Sequence, residues 1–172
     1  VNECEWVNGI ESDIEDYEDN SSEPLNIGMK HLILTDNCEL DDWDVSLLLN
    51  LESIEIGNDC FESVKTFKID GLNRLKTIKI GNNSFTQVKS NDFDNDFAGS
   101  VLKCRNESKS FHILNCESLK VIEIGCCSFA DFGGEFELRN LDNLESIKIG
   151  EIGYRSMNFN WSSFNIRGKN VK

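Results

Sequence analysis

The stretch Leu51-Glu-Ser-Ile54-Glu-Ile56-Gly57 decides the fold, because the same L-x-x-I-x-I-G motif returns three more times along the chain. The later copies start at Leu75, Leu119 and Leu144, so successive copies begin 24, 44 and 25 residues apart. The repeating unit is therefore 24 or 25 residues long, and one copy carries about twenty extra residues between Thr86 and Ser110. Internal repeats of this length are typical of solenoid proteins.

Two further features accompany each copy of the motif. An aromatic residue stands five positions after the final Ile, and a second motif of F-x-I type follows later in the unit. The aromatic residues are Phe61, Phe85, Phe129 and Tyr154, and the second motifs are Phe67-Lys-Ile69, Phe111-His-Ile113, Phe136-Glu-Leu138 and Phe164-Asn-Ile166. Both motifs alternate apolar and polar residues, so each predicts a short strand with one face inward. The Gly after the first strand is predicted to take a positive φ as the chain turns.

These features predict a mostly β fold, a parallel β-solenoid with two short strands per repeat, one in each of two sheets. A single unit cannot bury its inward row, so stacked neighbours must share one continuous core. The pattern resembles the leucine-rich repeat family, nearest to its BspA-like class, from about Leu32 to Ile166. It lacks the Asn of the L-x-L-x-x-N turn and any helix-length segment for the convex side. The resemblance implies that a partner binds on a regular sheet face.

The predicted organisation has three parts. Residues 1–31 form an acidic N-terminal cap or linker, residues 32–166 form the solenoid with an inserted loop at about 86–110, and residues 167–172 form a basic tail. Within the first repeat, the sequence from His31 through Cys38 predicts a lone second strand, of the kind formed by the F-x-I motif. Leu40 to Asn50 is predicted to form a short helix capped by Asp41 or Asp42.

The charge balance excludes some partners. Seventeen basic and 31 acidic residues give a net charge of −14, which disfavours nucleic acid and anionic membranes. No apolar run approaches the length of a membrane span, so no membrane insertion is expected. The ends are oppositely charged, with nine carboxylates in residues 1–24 and four basic residues in residues 152–172.

The residues that usually carry catalysis are few. His31 and His112 stand beside or within predicted strands, away from any nucleophile motif, and are expected to be ordinary surface or strand residues. Asp92, Asp94 and Asp96 do not fit a calcium loop, because Phe97 stands where that loop needs Gly. The sequence therefore predicts no enzyme activity, no catalytic residue, no cofactor and no metal.

Cysteines and sequons point to an extracellular or cell-surface glycoprotein. Cys116, and with weaker support Cys38, falls at a core position and is expected to be a buried hydrophobe. The candidates for disulfide bonds are Cys4, Cys60, Cys104, Cys126 and Cys127, and the candidates for N-glycosylation are Asn20, Asn82, Asn106 and Asn160. The odd total of seven cysteines leaves at least one unpaired or intermolecular.

Outward charges of both signs recur from repeat to repeat and form the candidate partner-binding face. One column consists of Glu55, Lys79, Glu123 and Lys148, and the other of Glu52, Lys76, Lys120 and Glu145. The alternative is a solvated face held by salt bridges. The predicted function is a binding or adhesion module for a protein or glycan ligand. The alternatives are an extracellular scaffold that associates head to tail into filaments, and an intracellular protein-interaction adaptor.

Overall fold

The chain is a β-solenoid of about five turns with a spacing of about 25 residues, which confirms the predicted fold class. The computed structural model describes residues 28–40, 42–88, 105–151 and 156–168, and within them all regular structure is strand. No helix in these ranges is long and apolar enough to cross a membrane. The strands are β1 (His31–Leu34), β2 (Ser53–Ile56), β3 (Thr66–Asp70), β4 (Thr77–Ile80), β5 (Ser110–Leu114), β6 (Val121–Ile124), β7 (Glu135–Arg139), β8 (Ser146–Ile149) and β9 (Ser163–Arg167).

The strands form two parallel sheets, one from each motif. Sheet A has the order β1-β2-β4-β6-β8 and sheet B the order β3-β5-β7-β9. The prediction of a second strand at His31 is wrong, because Leu32 and Leu34 of β1 align with the inward Ile54 and Ile56 of β2 and so place β1 in sheet A. The register matches equal positions of successive repeats, so that Ile54 lies opposite Ile78 and Glu55 opposite Lys79. Alternate residues of a parallel strand point to opposite faces, so equivalent side chains stack in columns along the solenoid. The inward columns build the core and the outward columns build the surface.

Two ladders of aromatic rings fill the core between the sheets. The first consists of Phe61, Phe85, Phe129 and Phe159, and the second of Trp43, Phe67, Phe111, Phe136 and Phe164. The rings of Phe85 and Phe129 are nearly parallel, with centroids 4.8 Å apart. Each such pair contributes about 1 kcal/mol beyond the area that it buries. Tyr154 lies outside the described residues, and Phe159 takes the fourth place in the first ladder.

The predicted helix from Leu40 to Asn50 is wrong, because residues 42–50 contain no helix. The ring of Trp43 stacks on Phe67 at 5.2 Å, and the side chain of Val45 is also buried. Trp43-Asp44-Val45 is therefore the first turn's version of the F-x-I motif. Its fit to the aromatic ladder outweighs the local capping signals that favour a helix.

The prediction of a positive φ after the first strand is wrong for three of the four glycines. Only Gly150 has a positive φ, of 64°, whereas Gly57, Gly81 and Gly125 do not. A Cβ on Gly81 would lie 2.6 Å from the carbonyl carbon and oxygen of Gly57. Glycine is required at these positions because successive turns approach too closely for any side chain.

Replacing Gly81 with alanine is expected to lower the free energy of unfolding by about 2 kcal/mol, because backbone atoms of the preceding turn must move. The matched control is Gly71→Asn. Gly71 has a φ of 75° and open space around it, and Asn115 follows β5 with a φ of 54° at the equivalent position. The control should change stability by less than about 0.5 kcal/mol. Urea denaturation measures both, and an equal loss would contradict the role given to close approach.

Candidate functional site

An open groove of about 460 Å³ runs across the outer face of sheet A, at the carboxyl ends of its strands. One side is formed by outward side chains that begin with Ile33 in the first turn and continue as a charged column. The charged column consists of Glu55, Lys79, Glu123 and Lys148. The other side is a glycine row of Gly57, Gly81 and Gly125. The glycine row leaves the backbone exposed and the groove open along its length.

The charged column carries alternating charges that remain available to a ligand. Its members are register partners on adjacent strands, about 4.8 Å apart. Within the part of the chain that the structure describes, neither an ion pair nor a side-chain hydrogen bond links Glu55, Lys79, Glu123 and Lys148. The predicted salt-bridge ladder therefore does not form along this column.

The neighbouring column behaves differently, because its charges pair between turns. Lys76 Nζ donates to Glu52 Oε2, and this hydrogen bond and charge lower the pKa of the Glu52 carboxyl. Lys120 Nζ donates to Glu145 Oε1 at 2.9 Å. All eight predicted residues thus lie on or beside sheet A, with one column paired and the other open.

A ladder of side-chain amides and a carboxylate holds the turns beside the groove. Asp36 Oδ1 accepts from the backbone N–H of Asn58 at 2.7 Å, and Asn58 Oδ1 accepts from that of Asn82 at 2.8 Å. Asn82 Oδ1 in turn accepts from the N–H of Cys126 at 2.7 Å. These backbone donors are already occupied, so a ligand in the groove meets mainly side-chain charges and backbone carbonyls.

The outer face of sheet B carries a second set of polar side chains. His112 lies opposite Glu137 in the register, and Glu135 stands two residues before Glu137 on the same face. His112 was predicted to be an ordinary strand residue. The repeat alignment was the signal that could have joined these residues, because it places His112 and Glu137 in the same outward slot of adjacent turns.

The other histidine lies on sheet A. His31 Nδ1 is 2.8 Å from Ser53 Oγ, across the β1–β2 pair. The contact joins two outward residues at the edge of the face and fixes the imidazole ring. The expectation that the chain is not an enzyme stays a prediction.

The prediction of disulfide candidates is wrong for Cys60, Cys126 and Cys127, which are present as thiols and not as half-cystines. Cys38 was predicted to be a buried core residue, and it is buried, but it also forms a disulfide bond. Cys60 and Cys127 face the interior and pack there as small buried side chains. Cys4 and Cys104 lie outside the described residues.

Cys116 is expected to be the slowest of the described thiols to react. It is fully buried, and burial raises the pKa of its thiol to about 11. At pH 8 its thiolate fraction is then about 100-fold below that of a thiol with a pKa of 9. Iodoacetamide labelling followed by peptide mass spectrometry should modify the half-buried Cys126 first and Cys116 only after unfolding. Cys38 should react only after reduction, and early labelling of Cys116 would contradict its placement.

The glycosylation candidates differ in accessibility. Asn82 and Asn160 are exposed, Asn106 is half-buried, and Asn20 lies outside the described residues. Asn106 Oδ1 accepts hydrogen bonds from both the backbone N–H and the hydroxyl of Ser108.

The chain matches no protein-family model, and neither the curated proteins nor the solved structures contain a match to it.

Proposed function

We propose that this chain is a non-enzymatic binding or adhesion module of leucine-rich-repeat type, which holds a protein or glycan ligand in the groove on sheet A. The observation that carries the proposal is the charged column. The charges of the neighbouring column pair between turns, whereas those of this column remain available to a ligand. Alternating charges presented by a stiff sheet favour specificity for a ligand with complementary charges.

An extracellular or cell-surface location is part of the same proposal. The disulfide bond at Cys38 supports it, because disulfides persist in oxidising compartments. The exposed sequons at Asn82 and Asn160 are consistent with a glycoprotein. An intracellular adaptor would instead keep its cysteines reduced. Mass spectrometry of the native protein, before and after reduction and deglycosylation, separates these two locations.

The binding test uses random peptides displayed on phage and, in parallel, an array of purified glycans, each offered to the full chain. Lys79→Glu combined with Lys148→Glu makes the charged column uniformly negative. The matched control, Lys65→Glu with Lys68→Glu, makes the same charge change on exposed residues away from the groove. We expect the groove variant to bind the selected ligands at least tenfold more weakly and the control variant to bind them with unchanged affinity. Equal effects, or no enriched ligand in either format, would refute the proposal.

A second function, head-to-tail assembly into a scaffold, is favoured by the exposed apolar residues of the last described turn. Ile147, Ile149, Phe164 and Ile166 occupy inward positions but are 42%, 38%, 58% and 49% exposed. They belong to β8 and β9, the last strands of the two sheets. An uncovered strand edge with apolar neighbours is a surface on which another chain can continue the stack.

Sedimentation velocity over a wide concentration range tests the assembly. We expect the particle size to increase with protein concentration and to decrease with added salt. Salt screens the charges of the two ends, so the oppositely charged ends attract each other less. Ile147→Glu with Phe164→Glu should abolish the growth. Gln87→Glu with Ser108→Glu is the control, because it adds the same charge at two exposed residues of the middle turn, away from both ends. A particle of constant size at every concentration would exclude assembly.

A further inference from the structure

Three side chains on the outer face of sheet B bring atoms that can bind a metal close together. His112 lies on β5, and Glu135 and Glu137 lie on the adjacent β7. One nitrogen and two carboxylate oxygens from these residues all lie within 4.8 Å of one another. Across residues 28–40, 42–88, 105–151 and 156–168, no other three His, Cys, Asp or Glu side chains converge in this way.

The spacing between His112 and Glu137 suits a shared cation better than a hydrogen bond. His112 Nδ1 and Glu137 Oε2 are 3.5 Å apart, beyond the usual range of about 2.7–3.2 Å for an N–H···O bond. Two ligand atoms bound at about 2.1 Å to one tetrahedral ion lie about 3.4 Å apart. The two side chains are only 19% and 13% exposed, so they are largely desolvated and held in place by the sheet.

Glu135 forms the open side of the cluster. Its side chain is exposed, and its Oε1 accepts a hydrogen bond of 3.0 Å from Nδ2 of Asn165 on β9. This contact orients the carboxylate and leaves the second oxygen, Oε2, for an ion. Hydrogen-bonded partners that orient a ligand in this way are characteristic of metal sites in proteins.

The charges around the cluster permit a cation to bind. Glu137 Oε1 lies 3.6 Å from Arg139 Nη1, and Lys68, the register partner of His112, is paired with Asp70 at 3.3 Å. The two carboxylates and the one guanidinium together carry a net charge of −1, which a cation can offset. Arg139 is expected to weaken the binding of an ion without preventing it.

We propose that His112, Glu135 and Glu137 bind one divalent transition-metal ion, for which Zn²⁺ is the best match. Imidazole and carboxylate donors together suit Zn²⁺, whereas Ca²⁺ and Mg²⁺ prefer shells made only of oxygen. Three protein ligands leave a fourth position open to water or to a donor from another molecule. The site lies on the sheet opposite the groove and is independent of the proposed ligand-binding function.

The test titrates the chelator-treated full chain with ZnCl₂ by calorimetry and with Co²⁺ by visible absorption. Both are done with Cys126→Ser and Cys127→Ser, so that these thiols do not bind the ion. We expect one equivalent to bind and Co²⁺ to give the bands of a four-coordinate ion. His112→Gln and Glu137→Gln should weaken binding at least 30-fold. His31→Gln, which changes the other histidine, should leave it unchanged.

A second measurement needs no substitution at the site. In ¹H–¹⁵N spectra of the histidine rings, Zn²⁺ should shift the Nδ1 signal of His112 and leave that of His31 in place. Binding that survives His112→Gln, a shift at His31 alone, or no saturable binding at all would overturn the proposal.

Discussion

Replacing Ile122 with aspartate is expected to lower the free energy of unfolding by about 4 kcal/mol or more. Ile122 is 1% exposed in the middle of the inward column of sheet A, between its register partners Ile78 and Ile147. The new carboxylate would have no cation or donor within the apolar core, and the isoleucine packing would be lost with it. Urea denaturation followed by far-UV circular dichroism measures the change.

The neighbouring residue provides the control. Glu123 is the next residue of the same strand, β6, but points outward into the groove. Glu123→Lys reverses a charge that makes no ion pair in the described structure, so it should cost less than about 1 kcal/mol. Similar losses in the two variants would show that the inward and outward faces have been assigned wrongly.

Removing the carboxylate of Asp131 is expected to cost about 3–5 kcal/mol, because it leaves a buried lysine without its counter-charge. Lys109 and Asp131 are only 2% and 3% exposed, and Lys109 Nζ donates to Asp131 Oδ2 at 2.9 Å. The ammonium also donates to the carbonyl of Glu62 at 3.0 Å. The same carboxylate oxygen accepts from the backbone N–H of Gln87 at 3.2 Å. Asp131 thus holds the first and last residues of the inserted sequence, Gln87 and Lys109, and Asp131→Ala should loosen both attachments.

An exposed ion pair is the matched control. Lys120 and Glu145 are also 2.9 Å apart, but their side chains are 54% and 64% exposed, so Glu145→Ala should cost less than about 1 kcal/mol. Thermal and urea unfolding of both variants give the comparison. Lys109→Met combined with Asp131→Leu should recover part of the loss, because it removes both buried charges together. A double variant less stable than Asp131→Ala alone would contradict the assignment of the loss to the unpaired lysine.

The sheets could be predicted because their pattern is local and repeated. Ile54 and Ile56 alternate with Glu55, and the copies at Leu75 and Leu119 repeat the alternation. Strand faces, register and the side-by-side columns follow from that period. The Trp43-Asp44-Val45 stretch carried the same information, since its spacing to Leu51 equals that from Phe67 to Leu75.

Features that depend on contacts between turns could not be predicted in the same way. The need for glycine at Gly81 comes from the carbonyl of Gly57 in the preceding turn, and not from its own backbone angles. The thiols of Cys60 and Cys127 are buried by neighbouring turns, which sequence spacing does not reveal.

The candidate site was predicted only in part. The sequence placed Glu55 and Lys79 in one outward column but could not show that their charges stay unpaired while Glu52 and Lys76 pair. Whether the side chains of His112 on β5 and Glu135 on β7 come close together depends on their conformations, which the structure shows and the sequence does not.

The turn-to-turn ladders determine how this chain responds to a pulling force. Each turn contacts only its neighbours, so tension along the solenoid axis loads one interface at a time. A turn contributes about 4.8 Å of length while folded, but its 24 or 25 residues extend to roughly 80 Å once released. Tension should therefore unfold single turns from one end. The molecule should lengthen in regular steps and not unfold all at once.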